Sequence, residues 1–383
     1  MALVKVLFWV ALAVVAYTYV GYAMIIALLA RWRARPVLKN NITPTITVLV
    51  AAYNEEGCIA SKIENALALD YPADKLELAI VTDGSTDRTP EIVSSYAERG
   101  VKLLHQPERR GKAAALARAF SLTQGEVVVF SDANCFFQKD ALRKLVRNLA
   151  DPDVGAVGGA KRMLREKETV AGQGEGLYWR YESFLKRCDS AVSSVMGVPG
   201  EVWAARREAY VLPEPDTLLD DFVASLRMVE AGWRVVFEPE ALAYEEASPN
   251  LSAEWARRVR NAAGGWQAFF KLRGMLHHRS RLVTFQYLSH RMMRWMVAPT
   301  LLAPLFAANL ALALTAGPFY VLTLAGQLAF YGMAGLGWLL AWRGSQVGWL
   351  LAPFYVCMLN AAALVGGRRF LAGRQPVTWK KVR

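Results

Sequence analysis

Histidine and cysteine are scarce in these 383 residues, four of each, and neither is spaced as a metal-binding set. Cys58, Cys135, Cys188 and Cys357 are scattered, as are His105, His277, His278 and His290. A zinc site or a disulfide framework is therefore not expected, and a reducing compartment fits the central region. Acidic residues are missing after Glu254, whereas sixteen Lys and Arg follow it. The net charge of +12 thus comes from the last third, and the first 254 residues are net acidic. Those cations flank apolar runs instead of forming a stripe with interleaved aromatics on a polar domain. This argues against nucleic acid and for lipid headgroups and a phosphorylated substrate as the counter-charges.

Charge is absent from residues 6–30. Such a run crosses a hydrocarbon core of about 30 Å with some tilt, and it is long for the core of a cleaved signal peptide. Arg31, Arg33 and Arg35 close it, so the N-terminus is expected outside and the following domain inside. Residues 295–315, 319–342 and 347–366 are three more apolar spans. One span before the domain and three after it place the C-terminus outside. Residues 368–383 carry six basic side chains, which favours the inside. Either one segment is re-entrant or interfacial, or the tail breaks the rule.

Between the spans lies an α/β pattern. Residues 127–134, VVVFSDAN, form an apolar run without alternation that ends in Ser131, Asp132 and Asn134. Such a run reads as a strand buried on both faces, and an acid at its carboxyl end points at a ligand site. Asp132 serves equally well as a turn former or a helix cap. Residues 46–52, 76–81 and 101–105 are further strands, with helical segments between them. That alternation implies right-handed crossovers and a mostly parallel sheet.

The motifs AAYNEE, TDGSTD, RRGKAAAL, SDAN and LLDDF follow one another in this order. Together they resemble the inverting family 2 glycosyltransferases of the GT-A, nucleotide-diphospho-sugar fold. The membrane-integrated branch, with the synthases of cellulose, chitin, hyaluronan and poly-N-acetylglucosamine and related glycolipid enzymes, is the most similar. The expected organisation is a transmembrane helix and basic flank (1–35), a cytoplasmic GT-A domain (44–248), amphipathic interfacial helices (249–292), transmembrane helices (293–367) and a basic tail (368–383).

The resemblance implies roles residue by residue. Tyr53, Glu55 and Asp83 line the nucleotide pocket, Thr82 standing where the family has another Asp. Lys112 heads a helix whose N-terminus suits a diphosphate. Asp132 and Asn134 occupy the DxD positions, Asn134 replacing the second Asp, and hold Mg²⁺ or Mn²⁺ together with donor oxygens. Asp221 is the general base, with Asp220 beside it; a plain helix cap is the bland alternative for the pair. Gly197 and Gly200 let the chain approach the acceptor, and Trp179 offers a sugar platform or ordinary packing. Arg260 keeps the arginine of the QxxRW motif, whose Gln and Trp are Arg257 and Asn261 here.

The implied function is transfer from a UDP-sugar to a growing cell-envelope or extracellular polysaccharide by an integral protein of the plasma membrane. A glycolipid synthase that adds one sugar to a membrane lipid is the alternative, and an inactive membrane scaffold is a third reading. The partners are the donor, a saccharide or lipid acceptor and membrane lipids, with no nucleic acid. Four spans are few for a polysaccharide channel, so a homo-oligomer or an accessory export protein is implied as well.

Overall fold

A computed structural model describes residues 1–164, 169–345 and 347–378. Eight strands form one sheet: β1 (Ile46–Ala52), β2 (Leu76–Asp83), β3 (Val101–Gln106), β4 (Val127–Asp132), β5 (Cys135–Phe137), β6 (Val154–Leu164), β7 (Trp203–Arg206) and β8 (Arg234–Glu246). Their order is β3-β2-β1-β4-β7-β6-β8-β5. The first four are mutually parallel, as the sequence pattern implies. Beyond them β7 runs antiparallel to both β4 and β6, β5 runs antiparallel to β8, and β6 pairs with β8 in parallel.

The central strands β1 and β4 are buried on both faces, which is why they read as apolar runs, whereas the edge strand β3 is partly exposed. Ile46, Val48 and Val50 pack with Val127 and Val129 in one core, against α2 (Ile59–Leu67) and α5 (Ala141–Val146). Leu49, Val128 and Phe130 face the other core, with α4 (Lys112–Ser121) and α7 (Asp220–Glu230). Helices α3 (Thr89–Ser94) and α6 (Val170–Val192) complete this unit. Lys62 of α2 is fully buried, and desolvation pushes its ammonium down to about 8. It donates to Ser131 Oγ (2.7 Å) and to the Cys135 carbonyl, and so ties α2 to the turn that carries Asp132.

Among the described residues four helices are long and apolar enough to cross a membrane: α1 (Ala2–Trp32), α9 (Arg281–Ala313), α10 (Pro318–Trp342) and α11 (Gly348–Leu371). α1 and α9 meet through Phe8, Ala11, Leu305 and Leu312. Each contains a π-helical stretch, Tyr17–Gly21 and Tyr287–Val297, and these are joined by Tyr17 Oη and Ser289 Oγ at 2.6 Å. Such bulges recur at functional sites.

α11 differs from the other three. It lies along α8 (Leu251–Lys271) in the same direction, with Tyr355 at Arg258, Gly366 at Val259, Gly367 at Trp266 and Phe370 stacked on Phe270 at 5.8 Å. A Cβ on Gly366 would come within 2.5 Å of the Val259 carbonyl, so the glycine is what permits this approach. The most apolar stretch of α11 is 56% buried within the protein, against 11% for α10. α11 therefore packs mainly against protein. Lys380, Lys381 and Arg383 of the basic tail lie outside the described residues.

Candidate active site

A cavity of about 1290 Å³ opens at the carboxyl ends of β1 and β4, where open α/β sheets bind ligands. Tyr53, Glu55, Lys112, Asp132, Asn134, Trp179, Gly200, Asp220, Asp221 and Arg260 all line it. Asp83 and Gly197 do not. Asp83, buried at the end of β2, accepts from the Arg110 N–H (2.9 Å) and the Gly111 N–H (2.7 Å). Asp83 thus orders the basic loop before α4; the N–H groups of the first turn, from Lys112 onward, take no part in these two bonds. Gly197 adopts φ +99°, and a Cβ there would strike the Phe222 ring. Its role in this structure is to seat α7.

The end of the cavity near β4 is built from charge. Lys112 Nζ lies 2.6 Å from Asp132 Oδ1. Burial alone would lower the Lys112 ammonium, but Asp132, Asp220 and Asp221 outweigh it and hold it above its ordinary value. Burial pushes Asp132 upward, and Lys112 partly offsets that push. The Arg109 guanidinium sits 3.7 Å from the centre of the Tyr53 ring, a cation–π contact at the cavity mouth.

Asp220 and Asp221 occupy the first turn of α7, where the helix dipole favours anions. Leu219 holds the cap position, so neither acid is used as a side-chain cap. Burial, and next the Asp220 charge, raise the Asp221 carboxyl to about 7, Lys112 offsetting part of this. A side chain at residue 200 would bring its Cβ within 2.9 Å of Asp221 Oδ2, so Gly200 makes room for the carboxylate.

The loop before α7 is gripped by one face of α8. Arg260 Nη2 donates to the Leu218 carbonyl (3.1 Å), Gln267 bonds the Leu218 N–H (2.8 Å) and the Asp216 carbonyl (2.9 Å), and Lys271 pairs with Asp216 (2.6 Å). These positions, with Gly264 against Leu219, recur at helical spacing.

Residues outside the motifs complete the wall. Lys161 of β6, with no exposed side-chain surface, bridges Glu201 (2.6 Å) and Glu245. Glu245 in turn accepts from Asn134 Nδ2 (2.7 Å). The ammonium groups of Lys161 and Lys186 lie 5.2 and 5.3 Å from the centre of the Trp179 ring. These groups come from β6, β8, the loop before β7 and α6, and no local motif marks them.

Among the described residues no cluster of three His, Cys, Asp or Glu side chains is placed to hold a metal ion. The donor set fits a hard cation bound by Asp132 and completed by diphosphate oxygens, since Asp132 faces the cavity and already holds a cationic ammonium.

Residues 47–211 match the family model "Glycosyl transferase family 2". A poly-beta-1,6-N-acetyl-D-glucosamine synthase of Staphylococcus aureus is 30% identical over 232 residues, which is 59% of this chain and 56% of that protein. A beta-monoglucosyldiacylglycerol synthase of Synechocystis is 29% identical over 235 residues, 59% of this chain and 49% of that protein. The chain thus spans about half the length of these curated relatives. The mannosyltransferase PcManGT from Pyrobaculum calidifontis, solved in complex with GDP-Man and Mn²⁺, superposes with a TM-score of 0.74 at 25% identity, over 96% of this chain and 99% of that one. Residues 47–211 are therefore a family 2 glycosyltransferase domain, built on a GT-A fold and joined to helices able to cross a membrane.

Proposed function

We propose that the protein transfers a sugar, with inversion at C1, from a nucleoside diphosphate sugar to an acceptor presented at a membrane, in the assembly of cell-envelope glycan. One observation carries this: the Lys112–Asp132 pair, Asp220, Asp221 and Arg260 converge on a single cavity at the strand ends. Asp221 takes the proton of the acceptor hydroxyl as that oxygen attacks C1. The bond from C1 to the diphosphate breaks, and its electron pair leaves with the nucleoside diphosphate. A carboxylate raised to about 7 is matched to this task near neutral pH. Lys112 and Arg260 supply fixed positive charge where the leaving group becomes more negative. Mg²⁺ or Mn²⁺, held by Asp132 with help from Asn134, would add Lewis-acid stabilisation of the same charge. A UDP-sugar is the donor we put first, and GDP-mannose, bound by the structural relative, is its competitor.

The conflict over the basic tail is resolved if α11 lies in the interface with α8. Three crossings, α1, α9 and α10, then leave the catalytic domain and the tail on one side, the cytoplasmic one by their basic flanks. A polysaccharide acceptor has the support of the S. aureus relative. A lipid acceptor is favoured by the extension of the cavity between the membrane helices, where Leu12, Leu305, Phe330 and Val356 line it.

The test is incubation of the purified chain with radiolabelled UDP-sugars and GDP-mannose, with Mg²⁺ or Mn²⁺, followed by sizing and lipid extraction of the product. Transfer and donor hydrolysis are expected for the wild type and lost in Asp221→Asn, with donor binding retained. Undiminished turnover in Asp221→Asn would remove the general base from this scheme.

A further inference from the structure

The turn that carries Asp132 and Asn134 has two sides. Asp132, Ala133 and Asn134 line the cavity, whereas the chain at either end of them is held from behind by α2. Lys62 of α2, with no exposed surface, spans the turn. Its ammonium donates to Ser131 Oγ (2.7 Å), just before Asp132, and to the Cys135 carbonyl, just after Asn134. Because Ser131 Oγ accepts from the ammonium, its own proton goes to the Asp132 carbonyl, 3.3 Å away. One ammonium thus closes the three-residue turn and, through Ser131, orients the Asp132 peptide.

Two neighbours on α2 extend this grip. Cys58 Sγ, at the helix cap, faces the Ala133 carbonyl at 3.7 Å. Asn65 bonds both the N–H (2.8 Å) and the carbonyl (2.9 Å) of Phe137. Residues 58, 62 and 65 are four and three apart, the spacing of one helix face. β5 stands last in the sheet order, so Asn65 satisfies backbone groups that a further strand would otherwise take. The Phe137 ring covers the ammonium, its centre 4.3 Å from Lys62 Nζ.

A lysine is a costly choice for this place. Burial disfavours its charged form, and the flanking Ile59 and Ile63 are both core residues. What Lys62 adds over another apolar side chain is a cluster of donors, fixed in position, behind a site open to a cation. Resting on the cation-assisted transfer proposed above, we propose that Lys62 is a positioning residue for the metal-binding turn. Through Ser131 and the Cys135 carbonyl it holds the Asp132 carboxylate, and Asn134 with it, aimed at the cation and the donor diphosphate. A positive charge behind Asp132 by itself repels a second cation. A lysine acting only through its field and one acting by position therefore differ in sign: removing the first tightens metal binding, and removing the second weakens it.

The experiment titrates Mn²⁺ into the purified chain with UDP or GDP present and follows free Mn²⁺ by its electron paramagnetic resonance signal, at a temperature where circular dichroism shows each variant folded. Lys62→Met should weaken Mn²⁺ binding on the order of 10- to 100-fold, the usual effect of removing a group that orients a metal ligand. Ser131→Ala should act in the same direction by a smaller factor, and it carries the test if Lys62→Met does not fold. Joined, the two should weaken binding no further than Lys62→Met alone, because both break one path. Ile63→Ala opens a void in the same core, and should lower the melting temperature with Mn²⁺ affinity unchanged. Unchanged or tighter Mn²⁺ binding in Lys62→Met and Ser131→Ala overturns the positioning role, as does an equal weakening in Ile63→Ala. A wild type that holds no Mn²⁺ with either nucleotide overturns the cation-assisted reading as well, which is distinguishable from a wild type that binds and variants that match it.

Discussion

The two halves of the sheet contribute to the cavity in different ways. The parallel half, β3-β2-β1-β4, delivers its functional groups immediately after its strands: Tyr53 and Glu55 after β1, and Asp132 at the end of β4. The mixed half, β7-β6-β8-β5, delivers Lys161, Glu201 and Glu245, which are far apart in sequence and meet only through strand pairing. The first half makes chemistry local in sequence, and the second supplies a charged wall that holds that chemistry in place. Changes to the motif side chains that line the cavity, Asp221 of α7 among them, should remove catalysis with little loss of stability, and changes to the Lys161–Glu201–Glu245 wall should do the reverse.

The largest effect is expected from Asp221→Asn. Turnover should fall by roughly 10²- to 10⁴-fold, the usual contribution of a positioned base, while the melting temperature stays near wild type. Next comes Lys161→Met, which leaves Glu201 and Glu245 buried without their shared cation. Removing one partner of a buried ion pair costs about 3 to 5 kcal/mol, so denaturant titration should show a clear loss of stability. Combining it with Glu201→Gln and Glu245→Gln should recover part of that loss. A single variant as stable as wild type would end the proposed division of labour.

Gly200→Val tests the seam between that wall and Asp221. Its side chain would push into Asp221, and a misplacement of about 1 Å is able to cost on the order of 10²-fold in rate, with donor binding preserved. Asp221 also sets a pH dependence. Because its folded pKa is raised to about 7, the base is protonated below that and activity should rise as pH increases through about 7. Asp220→Asn removes one of the charges that raise it, so the acidic limb of the rate profile should move to lower pH. An unmoved limb would assign it to another group. The smallest effect is expected for Gln267→Ala. Loss of its bonds to Asp216 and Leu218 should cost about 1 kcal/mol each at most, seen as a modest fall in turnover without change in donor affinity.

The legibility of this protein follows the same division. Strand 46–52 was readable because burial on both faces forces a continuous apolar run, and Ile46–Ala52 has those bounds; the partly exposed edge strand Val101–Gln106 lies close to its expected 101–105 as well. Asp132, Lys112 and Asp221 were readable because each stands where an element begins or ends, next to its motif. Asp83 was legible as a conspicuous residue, but its contact was not: a carboxylate facing two backbone N–H groups across a loop is decided by the path of the chain from 106 to 111. Asn134 likewise kept its place in the cavity, while its bond to Glu245 depends on the pairing of β5 with β8.

The sequence by itself determined the α/β pattern, the order of the five motifs, the apolar segments and the basic character of everything after Glu254. These are properties of periodicity and composition, which act over a few neighbouring residues. The tertiary structure alone decided that α11 lies along α8 and that Lys161 joins Glu201 to Glu245. Hydropathy measures how apolar a helix is and carries no information about whether lipid or protein covers it. For α11, Gly366 lets its backbone approach that of α8 at Val259, and Gly367 leaves room for the Trp266 indole.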